Sequence, residues 1–149
     1  MGAPEDEVPP PLRVVLDTNV YVSGTILSRG ASFEILEAWR RQAYTLFTSE
    51  AIIAEIERVL HYPHIRDRYA VREQDVARLA ASLRADAVVV AGVCKVGGVS
   101  SDPDDDKFLA CALEAQAGCI VTGDADLLSL GRYQGIDVLR PREFLERLT

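Results

Sequence analysis

Five short apolar runs alternate along this chain with stretches of helical periodicity. That alternation constrains the fold more than any other feature. The runs are Leu12 to Leu16, Tyr44 to Thr48, Ala87 to Val90, Cys119 to Thr122 and Asp137 to Leu139. Apart from Arg13, Asp137 and a few threonines they are apolar instead of alternating in polarity, which is the pattern of strands buried on both faces. Between them the spacing predicts helices. One covers residues 19–29. A second is capped by Ser32 and carries Phe33, Leu36 and Trp39. A third is capped by Ser49 and runs to Leu60, where His61-Tyr62-Pro63 closes it. Further helices are expected over residues 71–85 and 104–117, and a last one from Pro141, with a glycine-bearing loop from Gly92 to Ser101. Strand and helix in alternation imply a parallel sheet covered on both faces. In such sheets ligands bind outside the carboxyl ends of the strands, and Asp17 and Asp124 follow two of those ends.

Length and composition fit one domain. The chain has 149 residues. Met1 to Pro11 is acidic and proline-rich and is expected to be a disordered tail, which leaves residues 12–149 as the domain. Aromatic residues make up only 7% of the chain, so the core must be built from Val, Leu, Ile and Ala. Sixteen basic against 23 acidic residues give a net charge of −7. That opposes non-specific binding to nucleic acid, unless bound metal cancels some of the acids and itself attracts phosphate. The three cysteines, at positions 94, 111 and 119, lack CxxC spacing. They read as free thiols suited to a reducing cytoplasm. No apolar run approaches the ~20 residues of a membrane span.

The acids carry the chemistry. Asp17 follows the first apolar run, and Thr18 and Asn19 are placed to orient it. Glu55 and Glu57 lie on opposite shoulders of the stripe Ile52, Ile53, Ile56, Val59 and Leu60, so periodicity does not choose between them. Asp102, Asp104, Asp105 and Asp106 form a dense cluster before a helix. Asp104 is the expected cap, Asp106 is expected to be drawn toward the sheet by the small apolar flank of Ala110 and Leu113, and Asp105 is its alternate. Asp124 and Asp126 follow Thr122-Gly123. There Gly123 is expected to permit close backbone approach, and Asp126 to cap a short helix. Carboxylates beside buried strands are costly to ionise unless they share a cation. A hard divalent ion, Mg²⁺ or Mn²⁺, satisfies several at once. His61 and His64 flank a helix-ending proline and make a poor metal pair. Arg13, Arg58, Arg132, Lys95 and Lys107 are candidate phosphate contacts.

Four pieces of the chain together resemble the PIN-domain ribonucleases, in particular the VapC-like toxins of bacterial and archaeal toxin–antitoxin pairs. They are Val15-Leu16-Asp17-Thr18-Asn19, Ser49 through Glu55 to Leu60, Asp102 through Asp106 to Ala110, and Ile120 through Asp124 to Leu128. The resemblance implies an α/β/α sandwich with a central parallel sheet. It implies a catalytic, metal-binding quartet of Asp17, Glu55, Asp106 and Asp124, with Asp126 as an auxiliary acid and Thr18, Asn19 and Thr122 in support. It favours Glu55 over Glu57. The four clustered aspartates depart from the best-known VapC-type pattern, so Asp105 stays open as the third ligand. The implied activity is Mg²⁺- or Mn²⁺-dependent cleavage of RNA by a cytoplasmic homodimer that a small antitoxin silences.

Two rival classes are a phosphatase of the haloacid dehalogenase type and a catalytically inactive PIN-like RNA-binding or scaffold domain. The phosphatase needs Asp-x-Asp after its first strand, and the third position here is Asn19. The presence of all four acids argues against an inactive domain.

Overall fold

The computed structural model describes residues 11–99 and 102–149. The expected tail, apart from Pro11, lies outside the described residues. A six-stranded sheet forms the centre. Its strands are β1 (Arg13–Leu16), β2 (Thr45–Thr48), β3 (Val88–Val89), β4 (Cys119–Val121), β5 (Arg132–Tyr133) and β6 (Ile136–Leu139), in the order β3-β2-β1-β4-β6-β5. Val14, Val15 and Leu16 are all fully buried. Consecutive buried residues on one strand require cover on both faces, as their uniform apolarity predicts.

The helices are α1 (Thr18–Ile26), α2 (Ala31–Arg40), α3 (Glu50–Leu60), α4 (Pro63–Tyr69), α5 (Glu73–Asp86), α6 (Asp106–Ala115), α7 (Ala125–Leu128) and α8 (Pro141–Leu148). They complete an α/β/α sandwich. Helix α6 packs across β1, β2 and β4. Phe144 of α8 is fully buried and meets Tyr44 edge-on at 5.1 Å, and the Tyr44 hydroxyl donates to the Ile35 carbonyl. Trp39 and Leu36 belong to the core, and Phe33 is partly exposed.

Strands β3, β2, β1, β4 and β6 form the expected parallel sheet, to which β5 adds an antiparallel edge. This edge hairpin turns on Gln134 and Gly135, both at positive φ (49° and 83°). The left-handed pair sets a two-residue turn that matches strand twist, and Gln-Gly lacks the familiar Asn-Gly signature. Several other expectations are corrected. Pro63 does not only close α3; it also opens α4, at the position where its missing N–H costs nothing. Ser32 is not a cap: α2 is preceded by Gly30 at φ 104°, and Ser32 lies in the first turn. Ser49 does cap α3, accepting from the Ile52 N–H at 3.3 Å.

Helices α1 and α2 meet at Gly24. A Cβ there would stand 2.6 Å from Leu36 Cδ1 and 2.7 Å from the Ser32 carbonyl oxygen. The carbonyl is backbone and cannot swing aside. Gly24→Ala is therefore expected to destabilise the protein by about 1–3 kcal/mol, as read by urea titration. An unchanged midpoint would show that the two helices separate freely.

Candidate active site

Strand order reverses between β1 and β4. The chain builds β1, β2 and β3 outward in one direction, then returns to place β4 on the other side of β1. The crevice at the carboxyl ends of these two strands is where open α/β sheets bind ligands. Leu16 pairs with Val121, and the Asp17 N–H continues the ladder to the Val121 carbonyl at 2.9 Å. Two segments distant in sequence are thereby fixed side by side.

Thr122 joins them. Its buried hydroxyl donates to Asp17 Oδ2 at 2.6 Å and accepts from the Asp124 N–H at 2.9 Å. Asp124 in turn accepts from the Leu127 N–H at 3.0 Å and so caps α7. The capping role expected of Asp126 belongs to Asp124, because the helix begins two residues earlier than its apolar residues suggested. A Cβ on Gly123 would meet nothing within 4 Å, so close approach is not why a glycine stands there.

Asp17 is 4% exposed. Burial raises its pKa, and the charges of Glu55 and Asp124 add to the rise. The Thr122 hydroxyl and the Asn19 backbone N–H oppose it. Asn19 thus meets Asp17 through its backbone, and the residue itself is exposed. Thr18 serves a different acid: its hydroxyl donates to Glu55 Oε2. Lys107 Nζ lies 3.2 Å from the same oxygen, and Arg58 lies 3.9 Å from Oε1. Glu57 faces the other way, 3.7 Å from Arg84 on α5. Periodicity left Glu55 and Glu57 equivalent, and packing separates them.

The aspartate cluster is divided by a 3₁₀ turn over Pro103–Asp105. Asp102 caps that turn through the Asp104 N–H at 3.0 Å, in place of the expected Asp104. Asp106 is buried and accepts from the Gly98 N–H at 3.1 Å. Asp105 is also buried, and it converges with Asp124 and Asp126: one carboxylate oxygen from each lies within 4.8 Å of the others. Asp17, Glu55 and Asp106 stand outside that set of three. The Asp105 pKa is pushed up to about 7. Burial is the main cause, followed by its hydrogen bond to Asp124 and then the charges of Asp124, Asp102 and Asp17.

The donor set suits a hard ion. Mg²⁺ takes oxygen ligands at 2.0–2.1 Å in an octahedron, which places trans ligands roughly 4.2 Å apart. Cis ligands stand only about 2.9 Å apart in the same octahedron, so the three aspartate oxygens, within 4.8 Å of one another, would draw together around such an ion. Neither buried thiol competes, since burial lifts Cys111 to about 12 and Cys119 to about 11. Other candidates are structural. Arg13 donates to the Ala115 carbonyl and covers the Phe47 ring, Arg132 pairs with Asp137, and His61 pairs with Glu73. The hold of Lys107 on Glu55 was not visible in the sequence, where Lys107 reads only as one more possible phosphate contact.

A PIN-domain family model matches residues 13–126, from the start of β1 to Asp126. The chain belongs to the PIN-domain family. A relative in Methanocaldococcus jannaschii, the uncharacterized protein MJ1680, is 32% identical over 143 residues, which span 91% of this chain and 90% of the relative. Two solved structures share the fold. VapBC2 from Rickettsia felis, bound to a DNA fragment from its promoter, gives a TM-score of 0.56 at 15% identity. FitAcB from Neisseria gonorrhoeae gives 0.50 at 14%. Each match covers 87% of this chain and 98% of the other. PIN domains as a family are nucleases, and the acids of this PIN domain lie at the crevice where its fold binds ligands. Among the described residues no helix is long and apolar enough to cross a membrane.

The raised carboxylates predict how the metal-free PIN domain responds to pH. A carboxyl whose folded pKa exceeds its unfolded value contributes stability below the unfolded value, and loses it as pH rises through the folded one. Asp17 and Asp105 both shift this way. In chelator, the melting temperature is therefore expected to rise as pH falls from 8 toward 5. Saturating Mg²⁺ should flatten the slope. A metal-free protein most stable at pH 8 would contradict the assigned shifts.

Proposed function

We propose that this PIN domain is a metal-dependent endoribonuclease and the toxin of a toxin–antitoxin pair. The convergence of Asp105, Asp124 and Asp126 beside Asp17 at the switch point carries the reading. Asp105, Asp124 and Asp126 would hold Mg²⁺ or Mn²⁺, with Asp105 in the place that resemblance gave to Asp106. A bound ion of this kind polarises a phosphodiester and activates water at neutral pH. Thr122 fixes the Asp17 carboxylate toward the centre, and Thr18 fixes Glu55. Asp17, buried, and Glu55, half-buried, are both held by hydrogen bonds and so need little reorganisation when substrate arrives.

The partners rest on family resemblance: an RNA substrate, a second copy of the chain, and a small antitoxin. A cavity of about 920 Å³, lined among others by Thr25, Trp39, Tyr44, Val71 and Leu79, lies apart from the acids. An amphipathic helix from the antitoxin would fit it.

Cleavage of RNA by the purified protein is expected to require Mg²⁺ or Mn²⁺ and to stop in excess chelator. Full activity in chelator would end the metal reading. In cells, wild type should arrest growth and Asp124→Asn should not. Equal arrest by both would remove the nuclease as the cause.

A further inference from the structure

Among the described residues, Lys107 is the cation set deepest against the site acids. Its side chain is 21% exposed and lies 3.2 Å from Glu55 Oε2, against 60% exposure and 3.9 Å for Arg58. Three contacts hold it. The ammonium reaches Glu55, donates to the Asp104 carbonyl at 2.7 Å, and stands 5.1 Å over the Phe108 ring. The Thr18 hydroxyl takes the same Glu55 oxygen. Two donors thus occupy Glu55 while Asp105, Asp124 and Asp126 converge without it.

We propose that Lys107 stands in the place of a second divalent ion: it fixes Glu55 to the wall of the site and restricts the centre to a single ion on Asp105, Asp124 and Asp126. The proposal rests on the metal-binding reading above. An ammonium is a compact point charge, and a divalent ion approaching Glu55 would meet it at close range. Removing the charge leaves a half-buried carboxylate with only Thr18 and the distant Arg58 as partners. Such a group recruits a cation if one is available.

Mn²⁺ binding to the full chain without RNA tests this, by calorimetry and by the paramagnetic resonance of free Mn²⁺. Wild type is expected to bind one ion. Lys107→Met keeps the aliphatic stem and is expected to bind two. The double variant Glu55→Gln/Lys107→Met should return to one, and Lys107→Arg should stay at one. A wild type that binds two ions, or a Lys107→Met protein with wild-type stoichiometry and affinity, overturns the proposal. Should Lys107→Met fail to fold, the wild-type stoichiometry decides alone, one ion supporting the proposal and two overturning it. A wild type that binds no Mn²⁺ overturns the metal reading itself, an outcome distinct from the loss of the Lys107 role.

Discussion

Asp17→Asn is expected to lower cleavage by at least ~10³-fold, the scale on which essential active-site groups act. The fold should survive. Asparagine keeps the shape of the side chain, and its amide oxygen can still accept from the Thr122 hydroxyl that now meets Asp17 at 2.6 Å. What it removes is a negative charge from a place where burial and two neighbouring acids already disfavour one. In chelator the variant should therefore melt higher than wild type at neutral pH. Loss of activity with a higher melting temperature separates a role in the chemistry from a role in the fold. A variant that cuts at the wild-type rate refutes the role of Asp17. Glu57→Gln is the matched control and should stay near wild type, because the Glu57 carboxylate pairs at 3.7 Å with a partly exposed arginine, a contact of small worth.

The second large effect distinguishes neighbours. Asp105→Asn is expected to raise the Mg²⁺ concentration for half-maximal cleavage by about 10- to 100-fold, the range for disturbing a metal's immediate surroundings. Asp106→Asn should raise it less, since an asparagine oxygen can still accept from the Gly98 N–H. Metal titrations of the two proteins under identical conditions check this. The reverse order would return Asp106 to the metal and leave Asp105 as a buried neighbour.

The parts of the fold that could be read in advance are those with long-range apolar periodicity. Val14 to Leu16 and Cys119 to Val121 announced buried strands because no polar residue interrupts them, and the acids after them could be placed at strand ends on that ground alone. What could not be read turns on single backbone torsions. Whether Asp102 or Asp104 caps, and whether Asp105 or Asp106 enters the site, depends on one 3₁₀ turn that rotates the next side chains. The same holds for Asp124 and Asp126, where moving a helix start by two residues gave the cap to Asp124 and put Asp126 in the first turn. Glu55 and Glu57 were symmetric about their own helix. Only the neighbours distinguish them, Thr18 and Lys107 on one side and Arg84 on the other, and those contacts come from distant parts of the chain.

The central position of β4 has a consequence for how such an enzyme is made. Asp17 is among the first residues of the domain to leave the ribosome. The threonine that orients it follows 105 residues later, just past a strand that lies between β1 and β6. Pairing across so long an interval forms late in folding. A nascent chain that ends before Cys119 lacks Thr122, Asp124 and Asp126 altogether. The crevice of this PIN domain can thus be assembled only after translation has passed Asp126.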